Sequence, residues 1–234
     1  MAALPTALDE RLSNLADALI NQKRARTIVP AQQSSIGFWF GGGNTIEDAN
    51  GNLHVVGRYR NHGDSRTGVA AGQRGLELAV FTSQDGGNNW EKSLSFSKSD
   101  LNIGHRTVLS IEGSALRRTA NGYELYVSTE KDGVGYPQGY EGFLKPGTGV
   151  WTIERLTAET LEGLQQSPLE TVAECSDLRW LHIKDPFLYE RTSNDLDLLF
   201  CSHPFSWSSS STGFRKASAD TANDVATTPD FEKT

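Results

Sequence analysis

Cysteine is scarce in this chain of 234 residues, with only Cys175 and Cys201 present. Two cysteines build no disulfide framework, and their spacing fits no metal-ligand motif, so two reduced, half-buried thiols are expected. No stretch approaches the roughly 18 apolar residues that span a bilayer. Lys/Arg-rich runs are also missing, and the formal net charge is −7, which makes nucleic acid and anionic membrane surfaces poor partners. Gly41-Gly42-Gly43 leads into a strand rather than a helix, so it is no phosphate-binding loop. The chain has no Gly-x-Ser-x-Gly elbow for a serine hydrolase. The opening Met-Ala-Ala-Leu-Pro-Thr lacks a basic segment followed by an apolar one, and a cytoplasmic location is expected from it. Neither a cofactor nor a metal ion is expected.

What the chain does have is glycine and aromatic side chains: 23 Gly, five Trp, six Tyr and ten Phe. These suit a well-filled core with many tight turns. Leu8, Leu12, Leu15 and Leu19 recur at helical spacing and predict a helix over 7–26. Thr6 and Asp9 resemble a capping box, and Lys23, Arg24 and Arg26 would face the negative end of the dipole. The segment 1–30 is expected to clasp the side of the main domain, with a dimerisation helix, and hence a homo-oligomer, as the alternative.

From residue 31 to 234 the pattern predicts an all-β domain. Strands are expected at Phe38–Glu47, Leu53–Arg60, Leu76–Thr82 and Trp90–Phe96. A second set is expected at Val108–Arg117, Tyr123–Thr129, Val150–Arg155 and Thr171–Ala173. The third is Ile183–Tyr189, Leu196–Ser202 and Thr212–Ala217, with Phe231 opening a last strand. Asn50-Gly51 and Asn121-Gly122 supply hairpin turns. Sets of four strands repeating about every 60 residues suggest the blades of a β-propeller, about three of them. Three do not close a ring, so the propeller is expected to be incomplete in this chain, either as part of a longer protein or completed by another chain.

The turn from Ser83 to Trp90 reads Ser-Gln-Asp-Gly-Gly-Asn-Asn-Trp. Ser83 and Asp85 are placed to bond nearby backbone N–H groups, Gly86-Gly87 supply positive φ, and Trp90 anchors the next strand. This Ser-x-Asp-x-Gly-x-x-Trp pattern resembles the Asp-box of sialidases and other glycan-binding β-propellers, where it fastens an outer hairpin away from the active site. The segment from Gly41 through Arg66, with Arg74, resembles the first complete blade of those proteins. That resemblance implies that Arg58 and Asp64 face a glycan, with Arg60 and Arg66 as alternative arginines. Rim charges pairing with one another remain the other reading. The later arginines and the tyrosine nucleophile of a sialidase have no match, which speaks against sialidase activity.

Two further segments carry candidate chemistry. Glu112 lies inside an apolar strand, where a carboxylate is expensive unless paired, and Gly113 leaves room for close approach. His182-Ile183-Lys184-Asp185-Pro186 places Asp185 before a proline that donates no ladder bond, so Asp185 is expected at the beginning of a strand. These segments resemble the Glu-Gly and Asp-Pro motifs of the five-bladed arabinanase, xylosidase and fructosidase group, whose inner-strand carboxylates act as acid, base or stabiliser. Here the two elements come in the reverse order.

That resemblance implies a glycoside hydrolase with Glu112 and Asp185 as its carboxylate pair and Asp64 as a third acid. A buried ion pair with an arginine or with Lys184 is the structural alternative. Arg58, Arg66, Lys184, His182, His203 and Trp207 are the expected sugar-binding residues. The last two belong to His203-Pro204-Phe205-Ser206-Trp207 followed by Ser208–Ser211, a ring beside small hydroxyls. A non-catalytic glycan-binding propeller and a polysaccharide lyase using His182, His203 or Tyr59 as base are the rival functions. A metal held by His182, His203 and Asp185 matches no ligand spacing.

Overall fold

Turns rich in Asn, Asp and Gly cut the chain into short antiparallel strands. A computed structural model describes residues 5–21, 23–61, 74–192 and 195–216. Three sheets follow one another along the chain. The first holds β1 (Trp39–Gly41), β2 (Thr45–Glu47), β3 (Leu53–Arg60), β4 (Glu77–Ser83) and β5 (Glu91–Ser97). The second runs β6 (Thr107–Thr119), β7 (Gly122–Asp132), β8 (Val150–Ala158) and β9 (Glu170–Ala173) in that order. In the third, β10 (His182–Thr192) pairs with β11 (Asp195–His203), and β11 with β12 (Ser211–Lys216). Each sheet is a meander that starts at its inner strand, and the sheets stack face against face. The fold is all-β and propeller-type, with one N-terminal helix.

The stacking follows from strand alternation. Val56, Leu78, Val80 and Leu94 of the first sheet meet Ile111, Leu116, Leu125 and Val127 of the second. The opposite face of the second sheet, with Ala115, Tyr126 and Ile153, meets Ile183, Leu198 and Phe200 of the third. The second sheet is therefore buried on both faces, while Phe187 and Tyr189 on the outer face of the third are exposed.

The expected strand Phe38–Glu47 is broken into β1 and β2, and the break has a counterpart in every sheet. Residues 42–44 stand opposite 56–57 of β3. In β6, Glu112 and Gly113 stand opposite Ser128 alone, and in β10, Asp185 and Pro186 stand opposite Phe200 alone. At this point each inner strand carries an extra residue, a β-bulge, which locally bends the strand and re-aims its side chains. The expected place of Asp185 at a strand beginning is corrected: it lies three residues into β10, on the bulge. Pro186 is tolerated there because the bulge skips the ladder position that needs its N–H. The expected strand at Phe231 and residue Ala217 lie outside the described residues.

The helix is shorter than its leucine spacing predicts, spanning Thr6–Leu19 (α1). Pro5 is its N-cap and no side chain caps it, so the Thr6–Asp9 box does not form. The helix stops where Asn21 turns back to accept the Lys23 N–H, a local bond that competes with helical continuation. Lys23, Arg24 and Arg26 therefore lie beyond the last turn. The helix does not clasp the domain with its apolar stripe, for Leu8, Leu12, Leu15 and Leu19 are all exposed. The segment after it does. Val29 is buried against Tyr59, Ala79 and Phe81. Arg26 donates to Gly87 O, and Gln32 bonds both Glu77 and Asn61.

The β4–β5 turn holds itself by Asp85. Its carboxylate accepts from the backbone N–H groups of Asn88 and Asn89, both at 2.9 Å, from the Asn89 side chain and from the Ser83 hydroxyl. Ser83 Oγ in turn accepts from Gly87 N at 2.8 Å, with Gly86 and Gly87 at φ 68° and 85°. The Asn89 N–H, first among these donors, holds the Asp85 pKa down at about 2, from 3.8. This stabilisation is present above 3.8 and is lost as pH falls through about 2. Asp85→Ala is therefore expected to lower Tm at pH 7. Melts compared at pH 7 and pH 2 should show the gap to wild type closing on acidification, and a gap equal at both would contradict the assignment.

Candidate active site

The three bulges meet where β6, among the described residues, has no strand partner on its inner edge and its backbone groups need partners from elsewhere. Ile111 N–H donates to Gly75 O at 3.0 Å, and Ser114 N–H to Gly42 O at 2.8 Å. Asn44 takes both groups of Leu116, accepting its N–H at 2.8 Å and donating to its carbonyl at 2.9 Å. Gly113 N–H, on the bulge itself, donates to Asp185 Oδ1 at 3.2 Å. Glu112 and Asp185 come from neighbouring sheets, and Gly113, next to Glu112 in the chain, is the residue that bonds Asp185.

Asp185 sits at φ 57°, a left-handed conformation that Asp tolerates better than most residues but that still carries strain. Its N–H donates to Ser128 Oγ, and Lys184 Nζ stands 3.5 Å from its Oδ2. The carboxylate is 44% exposed. Glu112 is more enclosed, at 13%, and ion-pairs with Arg58. Arg58 belongs to β3, opposite Gly41, and lies over the Trp39 ring at 4.7 Å, a cation–π contact. Arg58 Nε and NH1 are buried with no hydrogen-bond partner among the described residues. Of the expected residues, Arg58, Glu112, Lys184 and Asp185 are gathered here. Asp64 and Arg66 lie outside the described residues.

The structure adds residues that motif reading passed over. Glu130 of β7 is buried and bonds Arg74 at 2.6 Å and Gly149 N–H at 3.2 Å. Burial, then partly offset by Arg74, raises its pKa, and the charge of Glu112 adds to the rise. Trp151 lies 5.7 Å from Lys184 Nζ. Nothing in the local sequence marks these positions, because only the register of β7 and β8 brings them to this end of the sheet.

His182 and His203 pair across β10 and β11 and both lie against Trp207, at ring distances of 4.2 and 4.8 Å. His182 is fully buried and stacked against the Trp207 ring. Tyr136 Oη is 3.0 Å from His182 Nε2 and 3.2 Å from Phe205 O. A chain in which His182 Nε2–H donates to Tyr136, and Tyr136 to Phe205 O, satisfies all three groups. Burial first, then the charges of His203 and Lys184, pushes the His182 pKa down to about 3. His203 is held by Ser209 O at 3.0 Å on Nδ1 and by Cys201 Sγ at 3.4 Å on Nε2. Trp207 itself has φ 58°, strained for a bulky residue, and is 37% exposed. Among the described residues no group of three His, Cys, Asp or Glu side chains is placed to hold a metal ion.

No family model matches the chain, and no curated protein sequence does. Solved structures do resemble it, and they are glycoside hydrolases in several cases. An α-L-arabinanase of Cellvibrio cellulosa matches 87% of this chain with 11% identity and a TM-score of 0.49. An endo-arabinase of Bacteroides thetaiotaomicron matches 90% with 13% identity and a TM-score of 0.47. An α-L-arabinofuranosidase of Fusarium graminearum matches 81% with 14% identity and a TM-score of 0.44. The chain spans 60%, 66% and 47% of the lengths of these three.

Two outcomes are expected from this geometry. A Cβ on Gly113 would lie 2.7 Å from Asp185 Oδ1 and 2.8 Å from its Cα. Gly113→Ala should therefore cost about 1–3 kcal/mol in urea unfolding, and wild-type stability would refute the close approach. His182 gives a pH signature: the unfolded chain takes up its proton below 6.5, the folded chain only below about 3. Its contribution is thus present above 6.5 and is lost as pH falls toward 3, at up to about 1.4 kcal/mol per pH unit. His182→Gln should flatten that part of the pH–stability curve, and an unchanged slope would refute the neutral buried imidazole.

Proposed function

We propose that the chain acts on carbohydrate as a glycoside hydrolase, with Glu112 and Asp185 as its paired carboxylates. The observation that carries this reading is the bond from Gly113 N–H to Asp185 Oδ1 at 3.2 Å. It joins the two acid-bearing bulges at the inner end of adjacent sheets. Glycoside hydrolysis asks for two carboxyl groups flanking one bond, one giving a proton and the other serving as base or nucleophile. Asp185, the more exposed of the two, is the proton-exchanging partner. Glu112, held in its ion pair by Arg58, is the anionic one. Lys184 and the partly exposed Trp207 offer the cation and ring face that sugar hydroxyls and sugar planes use. In this reading Asp64 serves as a third acid and Arg66 as a substrate contact.

The second reading, a non-catalytic glycan-binding propeller, is favoured by one observation: Arg58 already occupies the Glu112 carboxylate. Turnover of a panel of aryl pentosides and hexosides, with sugar binding followed by calorimetry, separates the two. Glu112→Gln and Asp185→Asn are each expected to lower kcat by about a hundredfold or more while leaving the circular dichroism spectrum and sugar binding in place. Binding without turnover in the wild type would favour the second reading. Turnover unaffected by both substitutions would remove these residues from the chemistry.

A further inference from the structure

The residue opposite the β6 bulge is Ser128, and it is completely buried. Its hydroxyl donates to Gly113 O at 3.1 Å and accepts from Asp185 N–H at 3.2 Å. With the bond from Gly113 N–H to Asp185 Oδ1 this makes a closed circuit: Gly113 N–H to the Asp185 carboxylate, Asp185 N–H to Ser128 Oγ, and Ser128 O–H to Gly113 O. Each group in the circuit is used once, as donor or as acceptor. The hydroxyl is the only atom in the circuit that is not part of a bulge, and it fixes the spacing of the two.

We infer that Ser128 is a positioning residue, holding the Asp185 peptide in its left-handed conformation and so setting the placement of Asp185 relative to Glu112. The inference rests on the reading of those two as a carboxylate pair. Three features support it. A left-handed non-glycine residue persists only where its surroundings over-determine it. Ser128 Oγ accepts the Asp185 N–H directly, across from one sheet to the next. A completely buried serine paired with Ile153 of β8 is costly unless both its hydrogen-bonding capacities are used. Valine or alanine would pack there more simply if the position served only the core.

The test compares Ser128→Ala and Ser128→Thr with wild type in the full chain, using two readouts. The first is the Gly113 amide in a ¹⁵N–¹H correlation spectrum, with its hydrogen exchange. The second is kcat and KM on the best aryl glycoside of the panel. Ser128→Ala is expected to shift the Gly113 amide and speed its exchange. It should also lower kcat about tenfold or more with KM changed far less, while Ser128→Thr returns both toward wild type. A Ser128→Ala protein that loses thermal stability yet keeps the wild-type Gly113 amide and kcat would show a purely structural serine and overturn the inference. So would a folded Ser128→Thr protein that fails to restore them. If Ser128→Ala does not fold, Ser128→Cys, which keeps the volume and weakens both bonds, takes its place. If the wild type turns over none of the substrates, the carboxylate reading fails on its own, and the Gly113 amide still decides whether Ser128 holds the junction.

Discussion

An inner strand with no neighbour on one side must give its hydrogen bonds to something, and here that need organises the site. The free edge of β6 is satisfied not by another strand but by Gly75, Gly42 and Asn44 from the first sheet and by Asp185 from the third. An unpaired edge inside a protein is a standing cost. Meeting it with loops and side chains forces the breaks in the neighbouring inner strands to come to the same place. The site is thus a by-product of backbone satisfaction, and its side chains stand where the bonds leave room.

Charge is handled by the same economy of partners. Lys131 and Glu154 are both fully enclosed, 2.7 Å apart, with the Thr129 and Thr152 hydroxyls completing the carboxylate's bonds. Burial lowers the Lys131 pKa, and Glu154 opposes that fall. Such a pair adds little net stability, because desolvation of both ions consumes most of their attraction. What it does is fix the register of β7 on β8, and with it the height at which Glu130 and Trp151 stand. The pairs Arg58–Glu112 and Arg74–Glu130 do the same between the first and second sheets.

Much of the fold was legible in the sequence where local chemistry and burial agree. Leu53–Arg60 is a strand at both expected ends, because Asn50-Gly51 turns the chain just before it. The Ser83–Trp90 turn closes through the side chains its spacing singles out. Legibility failed where a tertiary partner decides. Phe38–Glu47 reads as one strand, yet Gly42 and Gly43 break it to reach β6. The leucines of α1 have perfect spacing and no partner, whereas Val29, which no periodicity marks, packs on the first sheet. In the site, Glu112 stands out as a carboxylate in an apolar strand and Asp185 as an acid placed before a proline. Glu130, Arg74, Tyr136 and Ser128 do not, since each gains its meaning only from a residue at least 15 positions away.

The break in the first sheet differs from the other two in one respect. A Cβ on Gly43 would stand 2.1 Å from Val56 O, so no side chain of any kind can be carried there without moving the backbone. The three inner breaks are therefore not equivalent sockets. Two present acids directly from the innermost strand, and the first presents bare main chain, its charge arriving instead from Arg58 one strand further out. Acidic side chains therefore stand on two of the three inner breaks only, and the main chain of the first is spent on β6, through Gly42 O and Asn44. On β3 the residues from Val56 to Arg60 are all buried, so the arginine that supplies this charge is itself held in a packed strand.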